Sequence, residues 1–147
     1  NRDQQSNLDW LYTRLNTSLD WLTSQKEMTE LPIALFGSNL GAAAALKTAA
    51  DRPQQISALV LWSGRPDLVI DSLPAIKAPT LLVAGKYDVT IVNANRKAAE
   101  QFVTKCYLEI MSETGHDLKE PAKLDELAEL SCDWFQQHLP HYNDQNR

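Results

Sequence analysis

The stretch "PIALFGSNLGAAAALKTAAD", from Pro32 to Asp51, contains the most informative pattern for the fold of this protein. A short apolar run ends at Gly37, and a second glycine, Gly41, follows four residues later. The alanine-rich segment Ala42 to Ala50 predicts a helix, because alanine has the highest helix propensity. The letters "DRP" end that helix, since proline disfavours helical conformation at the residue before it. The stretch therefore predicts a strand, a sharp turn and a helix in direct succession.

Apolar runs alternate with helical patterns along the whole chain. The hydrophobicity of the run Ile56–Gly64 is continuous rather than alternating, which is typical of a parallel strand covered on both faces. The remaining predicted elements are helices over Asp9–Lys26, 92–103 and Pro121–Leu139 and strands over Pro32–Phe36, Thr80–Gly85 and Cys106–Met111. Short loops between alternating strands and helices predict an α/β three-layer sandwich around a short, mostly parallel sheet of about four strands. We expect one domain over 1–147, with a flexible tail over 140–147.

Composition narrows the class of partner. The net charge of −5 disfavours nucleic acid, which selects a basic face. No apolar run approaches the roughly 20 residues that span a bilayer, so no membrane association is expected. The two cysteines, Cys106 and Cys132, lack metal-ligand spacing and are predicted to be reduced core thiols of a cytoplasmic protein. Neither a metal site nor a cofactor is expected.

The turn at "GSNLG" has the glycine spacing of a nucleophile elbow, G-x-S-x-G. Such a turn lifts its central side chain above the sheet and directs the next backbone N–H, here that of Leu40, at the same point as part of an oxyanion hole. Gly37 and Gly41 are predicted to be required because side chains there would collide with neighbouring backbone. Asn39 occupies the nucleophile position, and asparagine tolerates the left-handed backbone that the turn needs. We expect the backbone geometry of the elbow to be preserved and its nucleophilic chemistry to be lost.

Two further polar residues follow the next strand ends in the order acid, then histidine. Asp88 comes just beyond Thr80–Gly85, and His116 lies in the loop after the fourth strand. Because ligands bind at the carboxyl edge of parallel sheets, we predict that both converge on the elbow. Alternatively, Asp88 caps the following helix and His116 is a surface residue. Asp67 is a reserve candidate for the acid, and Ser38 a displaced nucleophile that would require a one-residue shift of the turn.

From about Leu8 to Leu139 the sequence resembles the C-terminal half of an α/β-hydrolase, most closely the dienelactone hydrolase-like branch. The matching segments are "LFGSNLGAAAAL", "LVLWSGRPDL", "PTLLVAGKYD", "SETGHDLKEP" and "ELSCDWFQQHL". The resemblance implies cofactor-free hydrolysis of an ester or lactone through a covalent acyl-enzyme. It places nucleophile, acid and histidine at Asn39, Asp88 and His116. Asparagine stands where the family carries serine or cysteine, so the chain is predicted to be inactive as written.

The resemblance covers only half of the family's fold. The chain opens at Asn1 with a polar lead, which indicates a trimmed chain or a fragment. The front half would supply the second oxyanion donor and would cover the strand Pro32–Phe36, which otherwise becomes an exposed apolar edge. We expect either a homodimer or a separate N-terminal half at this edge. Two functions stay open: a hydrolase that has lost its nucleophile, and a non-catalytic binding or assembly module.

Overall fold

The computed structural model describes residues 1–141. Four helices and four strands alternate, and a 3-10 segment, Pro66–Ala75, follows the second strand. The helices are α1 (Arg2–Ser24), α2 (Leu40–Asp51), α3 (Val89–Ala99) and α4 (Pro121–His138), and the strands are β1 (Ile33–Ser38), β2 (Ile56–Trp62), β3 (Thr80–Gly85) and β4 (Cys106–Met111). The predicted tail lies mostly outside the described residues.

The sheet has the order β1-β2-β3-β4, and every neighbouring pair is parallel. Alternate residues of β2 serve opposite faces of the sheet. Leu59 and Leu61 join a core with α1 and α2, whereas Val60 and Trp62 join a second core with α4. Helices on both faces confirm the predicted three-layer α/β architecture, and burial on both sides explains why β2 reads as continuously hydrophobic.

Helix α1 begins earlier than its leucine periodicity predicts. It begins at Arg2 rather than Asp9, because the side chain of Asn1 accepts a hydrogen bond from the backbone N–H of Asp3 at 3.2 Å and caps the helix. The first turns contain no apolar residue before Leu8, so periodicity alone could not reveal them.

Several apolar side chains of β1 and α1 remain exposed. Phe36 on the edge strand β1 is 51% exposed, and Trp10 and Trp21 stand on the outer face of α1.

The prediction of two core thiols is wrong for Cys132, which lies on the exposed face of α4, whereas Cys106 is partly buried. Within residues 1–141, none of the helices combines the length and the apolar character that crossing a membrane needs.

Candidate active site

The turn between β1 and α2 is strained at Asn39. Its backbone angles are φ 53° and ψ −123°, which a side-chain-bearing residue rarely adopts. Its N–H donates to the carbonyl of Trp62 at 3.3 Å, so pairing with β2 continues up to the turn. The side chain is exposed and makes no capping hydrogen bond to α2. The Asn39 side chain is therefore presented to solvent and does not cap α2.

The two glycines of the elbow differ in what they do. A Cβ at Gly37 would lie 2.8 Å from the carbonyl oxygen of Gly41 and 2.9 Å from the Cα of Ala42, so no larger residue fits. A Cβ at Gly41 would meet nothing within 4 Å. The prediction of a collision is wrong for Gly41, because this residue faces an open groove between β1 and α1. Leu40 is the first residue of α2, so its N–H has no acceptor within the helix.

Asp88 and His116 meet at the carboxyl ends of neighbouring strands. Asp88 Oδ2 lies 3.0 Å from Nδ1 of His116. Although Asp88 precedes α3 at the N-cap position, its side chain makes no capping hydrogen bond. Its carboxylate is therefore engaged with the histidine and not with the helix.

Backbone contacts hold the loop after β3 against the loop after β4. The N–H of Lys86 donates to the carbonyl of Met111, and the N–H of Tyr87 donates to the carbonyl of Thr114, each at 2.9 Å. A Cβ at Gly85 would overlap the carbonyl oxygen of Gly115 and lie 2.5 Å from that of Thr114. Only glycine allows β3 to approach the histidine loop this closely.

Ser63 is the site residue that sequence reasoning missed. It follows β2, is 1% exposed, and places its Oγ 2.7 Å from the same Nδ1 of His116. The hydrophobic pattern predicts Ser63 only as part of the strand run Ile56–Gly64. The available signal was a single hydroxyl between Trp62 and Gly64, at the carboxyl end of a strand where ligands bind.

The remaining candidates do not contact the histidine. Hydrogen bonds of His116 within residues 1–141 reach Ser63 and Asp88, and none reaches Asn39. The elbow nevertheless lies beside the end of β2, because the backbone N–H of Asn39 hydrogen-bonds to Trp62, the residue that precedes Ser63. Asp67 instead accepts two hydrogen bonds from Arg65, at 2.9 and 2.8 Å, which hold the pKa of its carboxyl below the ordinary value.

The second alternative, Ser38, is the last residue of β1 and exposed, one position before the strained residue. The turn is thus centred on Asn39. Within the described part of the chain, no group of three or more histidine, cysteine or acidic side chains is placed to hold a metal ion.

Comparison with known proteins identifies the fold's relatives. The model of the dienelactone hydrolase family matches residues 2–138. A dienelactone hydrolase from Anabaena variabilis has a solved structure that is 39% identical, with a TM-score of 0.86; the match covers 90% of this chain and 62% of that one. A Pyrococcus furiosus esterase shares the fold at 15% identity, with a TM-score of 0.74, over 88% of this chain and 62% of that one.

Curated relatives come from Mycobacterium tuberculosis. Proteins named "Putative phosphoribosyl transferase" in strains CDC 1551 and H37Rv are each 39% identical over 139 residues. The match covers 95% of this chain but 31% of either relative. The chain thus spans about a third of the length of the curated relatives it matches.

Proposed function

Because the chain belongs to the dienelactone hydrolase family, we propose that its carboxyl-edge site is an acyl-hydrolase site of the carboxylester or dienelactone type whose nucleophile position holds asparagine. The observation that carries this proposal is the 3.0 Å contact between Asp88 and His116, next to a strained strand-to-helix turn. The name of the mycobacterial relatives adds no argument, since the chain covers 31% of their length.

His116 takes the role of general base. A carboxylate only accepts hydrogen bonds, so the contact with Asp88 requires the proton on Nδ1. Nε2 then carries a lone pair and can remove a proton from a nucleophile or from water. Asp88 orients the ring and stabilises the imidazolium that forms, without taking the proton itself.

Asn39 leaves this base without a partner to activate. An amide side chain carries no ionisable hydroxyl or thiol, so no acyl-enzyme can form on it. The N–H of Leu40, at the start of α2, is available as one oxyanion donor. We therefore propose that the chain binds an ester or lactone at this edge and turns it over at background rates.

Substitution Asn39→Ser tests the proposal. Loss of a catalytic nucleophile costs on the order of 10³–10⁶ in rate, so its return should raise hydrolysis of a nitrophenyl ester by about 10³ or more. The same variant should be labelled covalently by a fluorophosphonate, which detects an activated serine.

Two controls make the result specific. The variant Asn39→Ala removes the amide without adding a hydroxyl and should show no gain. Adding His116→Ala to Asn39→Ser should abolish both turnover and labelling, because the serine loses its base. A folded Asn39→Ser protein with neither turnover nor labelling would contradict the proposed activity.

A second candidate function, an assembly module, is favoured by the edge strand. Phe36 is half-exposed on β1, beside a groove of about 300 Å³ lined by apolar residues of α1, β1 and α2. An unpaired apolar edge is a site for pairing with another strand. We propose that a second copy of the chain, or a separate N-terminal half, covers this edge.

Light scattering tests the edge directly. We expect a species larger than 16.5 kDa that Phe36→Lys dissociates, because a charge on the edge opposes strand pairing. Val103→Lys is the matched control, since Val103 is also exposed but lies beyond α3. A monodisperse 16.5 kDa species would exclude self-association.

A further inference from the structure

Ser63 is a buried hydroxyl at the centre of the site. It is 1% exposed, and its Oγ lies 2.7 Å from Nδ1 of His116. The imidazole itself is half-exposed, so one edge of the ring is held by the protein while the other faces outward. The same nitrogen contacts Asp88 at 3.0 Å. Two oxygens therefore compete for one ring nitrogen.

The charge of Asp88 decides how the two contacts are shared. If Nδ1 were unprotonated, the hydroxyl of Ser63 could donate to it, but the carboxylate would face a lone pair and repel it. If Nδ1 carries the proton, both oxygens accept a share of the same N–H. Three-centre hydrogen bonds of this kind are common in proteins. The protonated Nδ1 is the arrangement in which both contacts are favourable.

Two hydrogen bonds to backbone carbonyls fix the position of Ser63, and its backbone conformation is strained. The N–H of Ser63 donates to the carbonyl of Val83 at 2.9 Å, which fixes it to β3. The next carbonyl, that of Gly64, accepts from the side chain of Asn95, which is 1% exposed on α3. Ser63 has a positive φ of 47°, a conformation that costs free energy for a residue with a side chain. Strain of this kind persists where the surroundings over-determine it.

We infer that Ser63 is a positioning residue for His116: its buried hydroxyl shares the Nδ1 proton with Asp88 and so holds the ring in the tautomer that leaves Nε2 as a base. The role deepens the proposed function and rests on it. Among residues 1–141 no group hydrogen-bonds to Nε2, so the ring depends on its Nδ1 side for orientation. Asp88 supplies the negative charge that keeps the proton on Nδ1, and Ser63 supplies a second acceptor that fixes the ring from another direction.

Nitrogen NMR of the histidine rings tests this without any need for activity. The ratio of Nδ1–H to Nε2–H tautomer at His116 is read from its ring ¹⁵N shifts, with His116→Gln identifying the signals among the three histidines. Loss of one net hydrogen bond should lower the ratio of Nδ1–H to Nε2–H tautomer in Ser63→Ala by about 2- to 12-fold. Ser63→Gly should give the same shift, although glycine relieves the positive φ. Ser63→Gly therefore tests the role of the hydroxyl even if Ser63→Ala fails to fold.

Ser131→Ala is the matched control, because Ser131 is a buried serine of α4 whose hydroxyl, among residues 1–141, hydrogen-bonds only within its own helix. It should leave the spectrum of His116 unchanged. An unchanged tautomer ratio in both Ser63 variants would overturn the inference. So would a rise in Nδ1–H, which would mean that the hydroxyl donates and opposes Asp88.

Turnover separates this inference from the proposed function. In an Asn39→Ser background, Ser63→Ala should lower kcat by a similar factor of about 2–12 and leave KM unchanged. If Asn39→Ser shows no activity but the tautomer shift is present, the proposed hydrolase function fails while the positioning role of Ser63 stands.

Discussion

Replacing each elbow glycine with alanine tests the geometry of the turn. The two positions are four residues apart in one motif, yet a Cβ at Gly37 would lie 2.8–2.9 Å from backbone atoms of α2, and a Cβ at Gly41 would meet nothing within 4 Å. A general requirement for glycine in the motif predicts damage at both positions. The contacts predict damage at Gly37 alone.

The sizes of the two effects follow from these contacts. At Gly37 the neighbours are backbone atoms, which cannot rotate away, so β1 and α2 must move apart; such overpacking costs about 1–3 kcal/mol. At Gly41, within the first turn of α2, alanine removes the conformational freedom of glycine and should stabilise by about 0.5–1 kcal/mol. The two variants should therefore differ by roughly 1.5–4 kcal/mol in the free energy of unfolding.

Urea denaturation followed by circular dichroism measures this difference. For a chain of this size 1 kcal/mol corresponds to roughly 2–4 °C in Tm, so thermal melts provide a second reading. Gly37→Ala should melt below the wild type and Gly41→Ala at or above it. Equal destabilisation in both variants would refute the reasoning, because it would mean that the motif requires glycine at Gly41 for a reason other than space.

Four further predictions concern the same edge of the sheet and the thiols. Gly85→Ala should lower the free energy of unfolding by about 1–3 kcal/mol and displace the ring signals of His116, because its Cβ would overlap the histidine loop, whereas Gly115→Ala, with open space around it, should do neither. Asn39→Gly should stabilise by roughly 1 kcal/mol in urea denaturation, since glycine adopts φ 53° without strain, and an unchanged midpoint would contradict that strain. Burial raises the pKa of Cys106 to about 12, so a thiol reagent at pH 8 should titrate one fast equivalent per chain, from Cys132, and two would contradict it. Stability should also fall as pH rises from about 9 toward 12, because the unfolded chain loses the Cys106 proton first.

Local patterns were enough to predict the architecture. Strand β2 is hydrophobic at six of its seven positions because helices cover both of its faces, and that pattern is visible without coordinates. The strained backbone at Asn39 was likewise predictable, since the glycine spacing defines the turn and asparagine tolerates positive φ. The start of α1 was not, because its first turns are held by an Asn1 cap and contain no apolar residue.

The order of the elements, the parallel sheet and the succession of Asn39, Asp88 and His116 along strand ends were all predictable from the sequence, since each depends on patterns of residues adjacent in the chain. The meeting of Asp88 with His116 was predictable from their positions after neighbouring strand ends, but the contact of Ser63 with the same ring followed only from the tertiary structure. Ser63 contacts His116 across 53 positions, and Asp88 turns away from the helix that it precedes. The need for Gly37 but not Gly41 was decided in the same way, because a collision depends on where α2 lies relative to β1. Such contacts are distances between segments remote in sequence, and no local pattern encodes them.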